Sequence, residues 1–188
     1  MAGLRPPRPT LLRALEGLAQ EGITRGQAVD LGCGVGRDTL ELLRRGWQVT
    51  AVDSEPEALA RLAAEAQARG LPIPELVGAA FEAAFIPTCN LVNSSFALFF
   101  CDPSAFSRLW QRIRRALRPG GRFAGQLLGP ADSWAQRSGV TVHDKAELSA
   151  LLGGCAVEWL EHEQTDTITP RGEAKHWDIG HLVLRYPN

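Results

Sequence analysis

The sequence has little net charge, no long apolar run, no paired-cysteine motif and no internal repeat, and each shortage removes a class of protein. Twenty Lys and Arg stand against 21 Asp and Glu, a formal net charge of -1, so no global field draws the chain to nucleic acid or to an anionic membrane. No stretch approaches the roughly 18 uncharged apolar residues of a membrane span. The Pro- and Arg-rich residues 1–10 have no apolar leader core. Cys33, Cys89, Cys101 and Cys155 form no C-x-x-C pair, and no His stands at zinc-ligand spacing from them. Reduced cytoplasmic thiols and no metal are the expectation. With 188 residues there is room for one domain, 1–188, and little for a separate substrate domain. A small-molecule partner follows by elimination.

What is present is enough for one core. The chain is 45% apolar with five Trp and seven Phe, which suits burial of about two-thirds of the unfolded surface. Thr10 is placed to cap a helix carrying Leu11, Leu12, Leu15 and Leu18, ended by Gly22, so residues 1–22 read as an N-terminal helix or lid. Residues 28–31 read as a strand, followed by a glycine loop and a helix to Gly46. Val49, Ala51 and Val52 mark a parallel strand covered on both faces. Ser54-Glu55-Pro56-Glu57 reads as a capping box for a helix bearing Leu59, Leu62 and Ala66. Short strands follow at 75–77, 90–94 and 122–127, with a helix over about 104–117 between the last two. Asp144 and Glu147 form a second capping box. Strands at 155–163 and 177–186, joined by a polar loop 164–176, make an antiparallel hairpin. The sum is an α/β fold: three layers, doubly wound, around a mostly parallel seven-stranded sheet with a C-terminal antiparallel hairpin.

The chemical signal is Asp30-Leu31-Gly32-Cys33-Gly34-Val35-Gly36, in which alternate glycines let the backbone turn sharply and a ligand approach closely. In an open parallel sheet such a loop lines the crevice at the strand C-termini. Arg37 stands where a dinucleotide fingerprint needs its third glycine, and Asp30 would repel a diphosphate. A cationic or zwitterionic ligand suits that carboxylate better. Asp53, at the end of the second strand, can grip both hydroxyls of a ribose. Ribose joined to a cationic amino-acid tail describes S-adenosylmethionine.

Residues 29–59 resemble the class I S-adenosylmethionine-dependent methyltransferases, whose first motif is an acid followed by G-x-G-x-G. Arg118-Pro119-Gly120-Gly121 resembles the family's turn before strand five, so the likeness spans most of the chain. It implies a Rossmann-like methyltransferase fold. It also implies that Gly32, Cys33, Gly34 and Gly36, with Asp30, cradle the methionine part, and that Asp53 with Ser54 holds the ribose. Gly36-Arg37-Asp38, Arg45-Gly46-Trp47-Gln48-Val49 and Lys175-His176-Trp177 most resemble the small-molecule, tellurite-resistance-type group. Where the family often carries Gly-Asp-Ala after strand three, this chain has Gly78-Ala79-Ala80. Ala80, Phe81 and Glu82 then become the adenine candidates, Phe81 by stacking and Glu82 as acceptor. Asn93, Ser94 and Ser95 occupy the place that lines the methyl group.

The resemblance implies in-line transfer of a methyl group to a small soluble acceptor, for which positioning matters more than a base. His143 and His176 are the candidates if a base is needed; the alternative is that each bonds loop backbone. Residues 129–143 and 164–176 are candidate substrate loops. Trp134, Arg137 and Lys175 are candidate substrate contacts, the two cations favouring an anionic acceptor, against simple surface packing. His162 and His181 read as ordinary strand residues. Two other functions remain open: a non-catalytic module binding S-adenosylmethionine or S-adenosylhomocysteine, and a nicotinamide-dependent oxidoreductase.

Overall fold

The computed structural model describes residues 5–169 and 172–187. Residues 1–4 of the expected lid and 170–171 of the expected second substrate loop lie outside the described residues. Helix Pro9–Gln20 (α1) opens on a proline, whose fixed φ suits the first helical position. Its stripe of Leu11, Ala14, Leu15 and Leu18 is buried. Then follow strand Gln27–Leu31 (β1), helix Arg37–Arg44 (α2), strand Gln48–Asp53 (β2), helix Pro56–Ala68 (α3) and strand Glu75–Gly78 (β3). The second half runs strand Cys89–Ser94 (β4), helix Pro103–Ala116 (α4), strand Leu117–Leu128 (β5), helix Lys145–Leu152 (α5), and strands Ala156–Ile168 (β6) and Ala174–Arg185 (β7).

The seven strands form one sheet in the order β3-β2-β1-β4-β5-β7-β6, with β7 antiparallel to both neighbours and the other pairs parallel. Helices cover both faces, and alternation along each strand feeds two cores. Val29, Leu31 and Val92 pack with Phe106, Leu109 and Ile113 of α4. Ala28, Ala51 and Leu91 pack with Leu11 and Leu18 of α1 and Leu62 of α3. Truncating any one of these fully buried leucines to alanine costs about 2 to 5 kcal/mol. The chain steps outward from β1 to β2 and β3, then returns to β4 on the other side of β1. The switch point, and with it the crevice at the strand C-termini, lies between β1 and β4.

Three local expectations fail. Thr10 lies inside α1, not at its cap; it is fully buried and its hydroxyl accepts Gln126 Nε2–H at 3.1 Å, a partner 116 residues away. Ser54 caps nothing: α3 starts after Glu55, and the Glu55 N–H is taken by Asp53 Oδ1 at 3.0 Å. The second capping box is present, with Asp144 accepting from Ala146 and Glu147 and Glu147 reaching back. The third correction is the loop 164–176, most of which is strand. The hairpin pairs through Ile168↔Ala174. As the edge of the sheet, β6 is exposed along nearly its whole length, so polar residues occupy both of its faces and no alternation betrays the strand.

Candidate functional site

Asp30 and Asn93 sit side by side as register partners of β1 and β4 at the switch point. Asp30 is 2% exposed; its Oδ2 accepts Thr39 Oγ1–H at 2.6 Å and its Oδ1 accepts Asn93 Nδ2–H at 2.8 Å. Asp38, 3% exposed in the first turn of α2, accepts the same Asn93 amide at 3.2 Å and Arg8 N–H at 2.9 Å. Burial, then the Asp38 charge, pushes the Asp30 carboxyl up to about 7, against the hydrogen bonds from Thr39 and Asn93. Ser94 Oγ–H donates to Leu31 O at 2.9 Å and locks the two strand ends together.

Gly32, Gly34 and Gly36 all take positive φ, at 71°, 52° and 87°. A methyl group at Gly32 would meet Ala97 Cβ at 2.3 Å, and one at Gly36 would meet Leu62 Cδ1 at 2.2 Å, so both are held by packing. Gly34 faces open space, with nothing within 4 Å of the Cβ position. Asp53 Oδ2 accepts Gly34 N–H at 2.8 Å while Oδ1 holds Glu55 N–H, which orients the carboxylate and leaves each oxygen a lone pair for a hydroxyl donor. Phe81 stands beside the loop, its ring tip 3.4 Å from a Cβ placed on Gly32. Asp53 beside an open glycine turn, backed by the buried Asp30–Asp38 pair, fits a ribose diol and opposes a diphosphate. Cys33 is buried, and desolvation holds its thiol firmly protonated, which leaves it space-filling in the turn.

The other residues singled out from the sequence are dispersed. Ser54 and Ala80 are exposed beside the site. Glu82 Oε1 is taken by Asp102 N–H at 3.2 Å and by the Cys101 thiol, bracing the approach to α4. Ser95 Oγ–H donates to Asn93 Oδ1 at 3.4 Å. His143 packs on Phe106, its Nδ1 buried with no partner among the described residues, in a cavity of about 880 Å³ under α5. Burial lowers its pKa. His176 pairs instead with Asp166 on the hairpin at 2.8 Å. Lys175 is 1% exposed in an ion pair with Asp132, between the rings of Trp134 and Trp177. Arg137 lies in solvent, stacked on Trp134 and 3.6 Å from Glu173.

Sequence reasoning missed Gln126, the buried pairing of Asp38 and the backbone strain at Phe96. An acid in the first turn of a helix reads as ordinary dipole compensation. Gln126 Oε1 accepts Phe96 N–H at 2.7 Å while its amide reaches Thr10 and His181, tying β4, α1 and β7 into one network. Phe96 has φ 56°, the one positive value outside glycine among the described residues. Strain of that kind collects at functional sites, but nothing in the composition announces it.

A glycine turn at the C-terminal edge of β1, opposite an acid ending β2 in a 3-2-1-4-5-7-6 sheet, defines a Rossmann-like methyltransferase fold. A family described as methyltransferase domain matches residues 28–121, half of the chain, and the chain belongs to it. It is similar to trans-aconitate 2-methyltransferase of Deinococcus radiodurans, 30% identical over 162 residues, which are 81% of this chain and 56% of that protein. The chain spans about half the length of the curated relatives it matches. Among solved structures, TehB from Haemophilus influenzae superposes with a TM-score of 0.76 at 17% identity, over 89% of this chain and 60% of that one. Magnesium protoporphyrin IX methyltransferase from Synechocystis PCC 6803 with bound SAM gives 0.67 at 16% identity, over 94% and 78%.

Proposed function

We propose that this chain, as one methyltransferase domain, transfers a methyl group from S-adenosylmethionine to a small soluble acceptor. The observation that carries the reading is Asp53 bonded to the N–H of a glycine turn left open at Gly34, beside the buried Asp30–Asp38 pair at the end of β1. Asp53 offers its free lone pairs to the ribose, Phe81 its ring to the base, and Gly32–Gly36 with Asp30 the cradle for the amino-acid tail. Asn93, Ser94 and Ser95 hold the end of β4 where acceptor and methyl group meet. The cofactor, when bound, supplies an electrophilic methyl on a sulfonium that departs as a neutral thioether. The protein's task is alignment and exclusion of water, and proximity of that kind supplies several kcal/mol, roughly 7 or more when alignment is good. A base is needed only for a protonated acceptor.

A small acceptor is supported by the name of the trans-aconitate relative and by a net charge of -1, which favours neither nucleic acid nor a membrane surface. No described helix is long and apolar enough to cross a membrane. Four free cysteines, three of them buried, support a reducing cytoplasmic setting.

Calorimetry tests the reading. S-adenosylhomocysteine should bind and NADH should not; Asp53→Ala should weaken the former by about 1 to 3 kcal/mol through loss of a charged acceptor. Transfer of labelled methyl to a panel of small metabolites then separates an enzyme from a silent binding module. Wild-type affinity in Asp53→Ala would sink the ribose assignment.

A further inference from the structure

A second cavity, about 710 Å³, lies between the start of α1 and the β6–β7 hairpin, next to the strained Phe96. Its volume is that of a small-molecule site. Phe96, Trp159 and Trp177 supply flat apolar walls, with Phe96 and Trp177 in edge contact at 5.7 Å. The charged and titratable groups that line it are Arg8, Arg13, Glu161, Glu163 and His181. Two of these are spoken for. Glu163 accepts Thr165 Oγ1–H at 2.7 Å and pairs with His181 Nε2 at 3.0 Å. Because Gln126 Oε1 accepts Phe96 N–H, its Nε2 is the donor facing His181 Nδ1 at 3.5 Å, so both ring nitrogens of His181 have partners.

Arg8 is one of the three left over. Its backbone N–H is fastened to Asp38 and Arg37 Nε–H donates to Pro6 O at 2.5 Å, which straps this segment across the glycine loop. Its guanidinium Cζ stands 4.0 Å from the centre of the Phe96 ring, yet forms no hydrogen bond or ion pair with any described residue. Stacking on a ring leaves all five N–H donors of a guanidinium unused. Burial, then Arg37, holds its pKa down to about 10, against the opposing pull of the Asp38 carboxylate. Arg13 is stacked 4.2 Å over Trp159 of β6, the strand that also carries the acids Glu161 and Glu163, away from the Phe96 end. The field across the cavity therefore has a sign.

We propose that this cavity is the acceptor site and takes a small flat organic carboxylate, its anionic end on the Arg8 guanidinium beside Phe96. The assignment rests on the methyltransferase reading, because Phe96 follows the strand end where that reading puts the methyl group. The ligand's neutral end points toward β6, where a second negative charge would meet Glu161. His181 acts as a wall and hydrogen-bond partner, held by Glu163.

The test uses trans-cinnamate and its uncharged amide, titrated by quenching of tryptophan fluorescence and checked by calorimetry. Wild-type protein should bind the carboxylate at least tenfold more tightly than the amide. Arg8→Gln should abolish that preference, and Arg8→Lys should restore part of it; thermal melts confirm that the variants fold. Equal affinity for the two probes in the wild-type protein overturns the proposal without any variant, as does an unchanged preference in Arg8→Gln or no binding at millimolar concentration. S-adenosylhomocysteine is titrated separately. Its failure to bind would sink the methyltransferase reading, whereas the cinnamate pair decides the cavity.

Discussion

Asp30 and Asp38 share one donor: Asn93 Nδ2 lies 2.8 Å from the first and 3.2 Å from the second, and all three side chains are buried. Two carboxylates this close in a dry setting do not both ionise freely. The switch point of the sheet therefore carries a titrating group at its centre.

That group gives stability a defined pH dependence. The Asp30 carboxyl is raised from 3.8 to about 7, chiefly by burial and then by Asp38, so between those values the folded chain holds a proton that the unfolded chain has lost. A raised carboxyl makes stability fall as the pH rises through this window and level off above it. Urea midpoints measured at about pH 5, 6 and 8 should show this component as the difference between wild type and Asp30→Asn. Parallel profiles for the two proteins would place the titration elsewhere.

Lys175 is held by Asp132 and by two indole rings, at 4.5 and 4.1 Å. Removing one member of such a buried pair leaves the other uncompensated and costs about 3 to 5 kcal/mol. Lys175→Met should fall in that range by urea denaturation, and Asp132→Asn in the same chain, which removes the charge and keeps an acceptor for the Trp134 N–H, should restore part of it. A Lys175→Met protein of wild-type stability would return the residue to the list of substrate contacts.

Arg122, 1% exposed, reaches Glu21, Glu158 and the carbonyls of Gly17 and Gly120, and so joins α1, β5 and β6. Hydrogen bonds from Arg122 and then Arg185 hold the Glu21 carboxyl down to about 2. With a depressed carboxyl, its contribution is complete above about pH 4.5 and drains away as the pH drops toward 2. Acid unfolding followed by tryptophan fluorescence should begin at higher pH in Glu21→Gln; coincident curves would deny the cluster its role.

What could be read from the residues alone follows the range of the interaction. The strand–loop–helix order, the Asp144 cap and the two acids closing β1 and β2 rest on neighbours within a few positions, and they were legible. Thr10 was read as a cap because its hydroxyl looked local, when its partner Gln126 is supplied by a strand 116 residues on. Ser54 lost its role to Asp53, which bonds the adjacent N–H first. Lys175 sits in a stretch so polar that it reads as loop, although a cross-strand ladder and a buried acid fix it. Arg8 belongs to no motif, and only the path of the chain across the glycine turn brings it to Asp38.

Strand β6 has a further consequence for how this molecule can fail. It closes one end of the sheet with thirteen residues whose outer backbone groups are unpaired, a ready template for a foreign strand. Glu161, Glu163 and Asp166 space negative charge along that border. An intruding copy would align its own acids against them, so lateral growth into fibrils is opposed at neutral pH and released in acid, where those carboxylates take up protons.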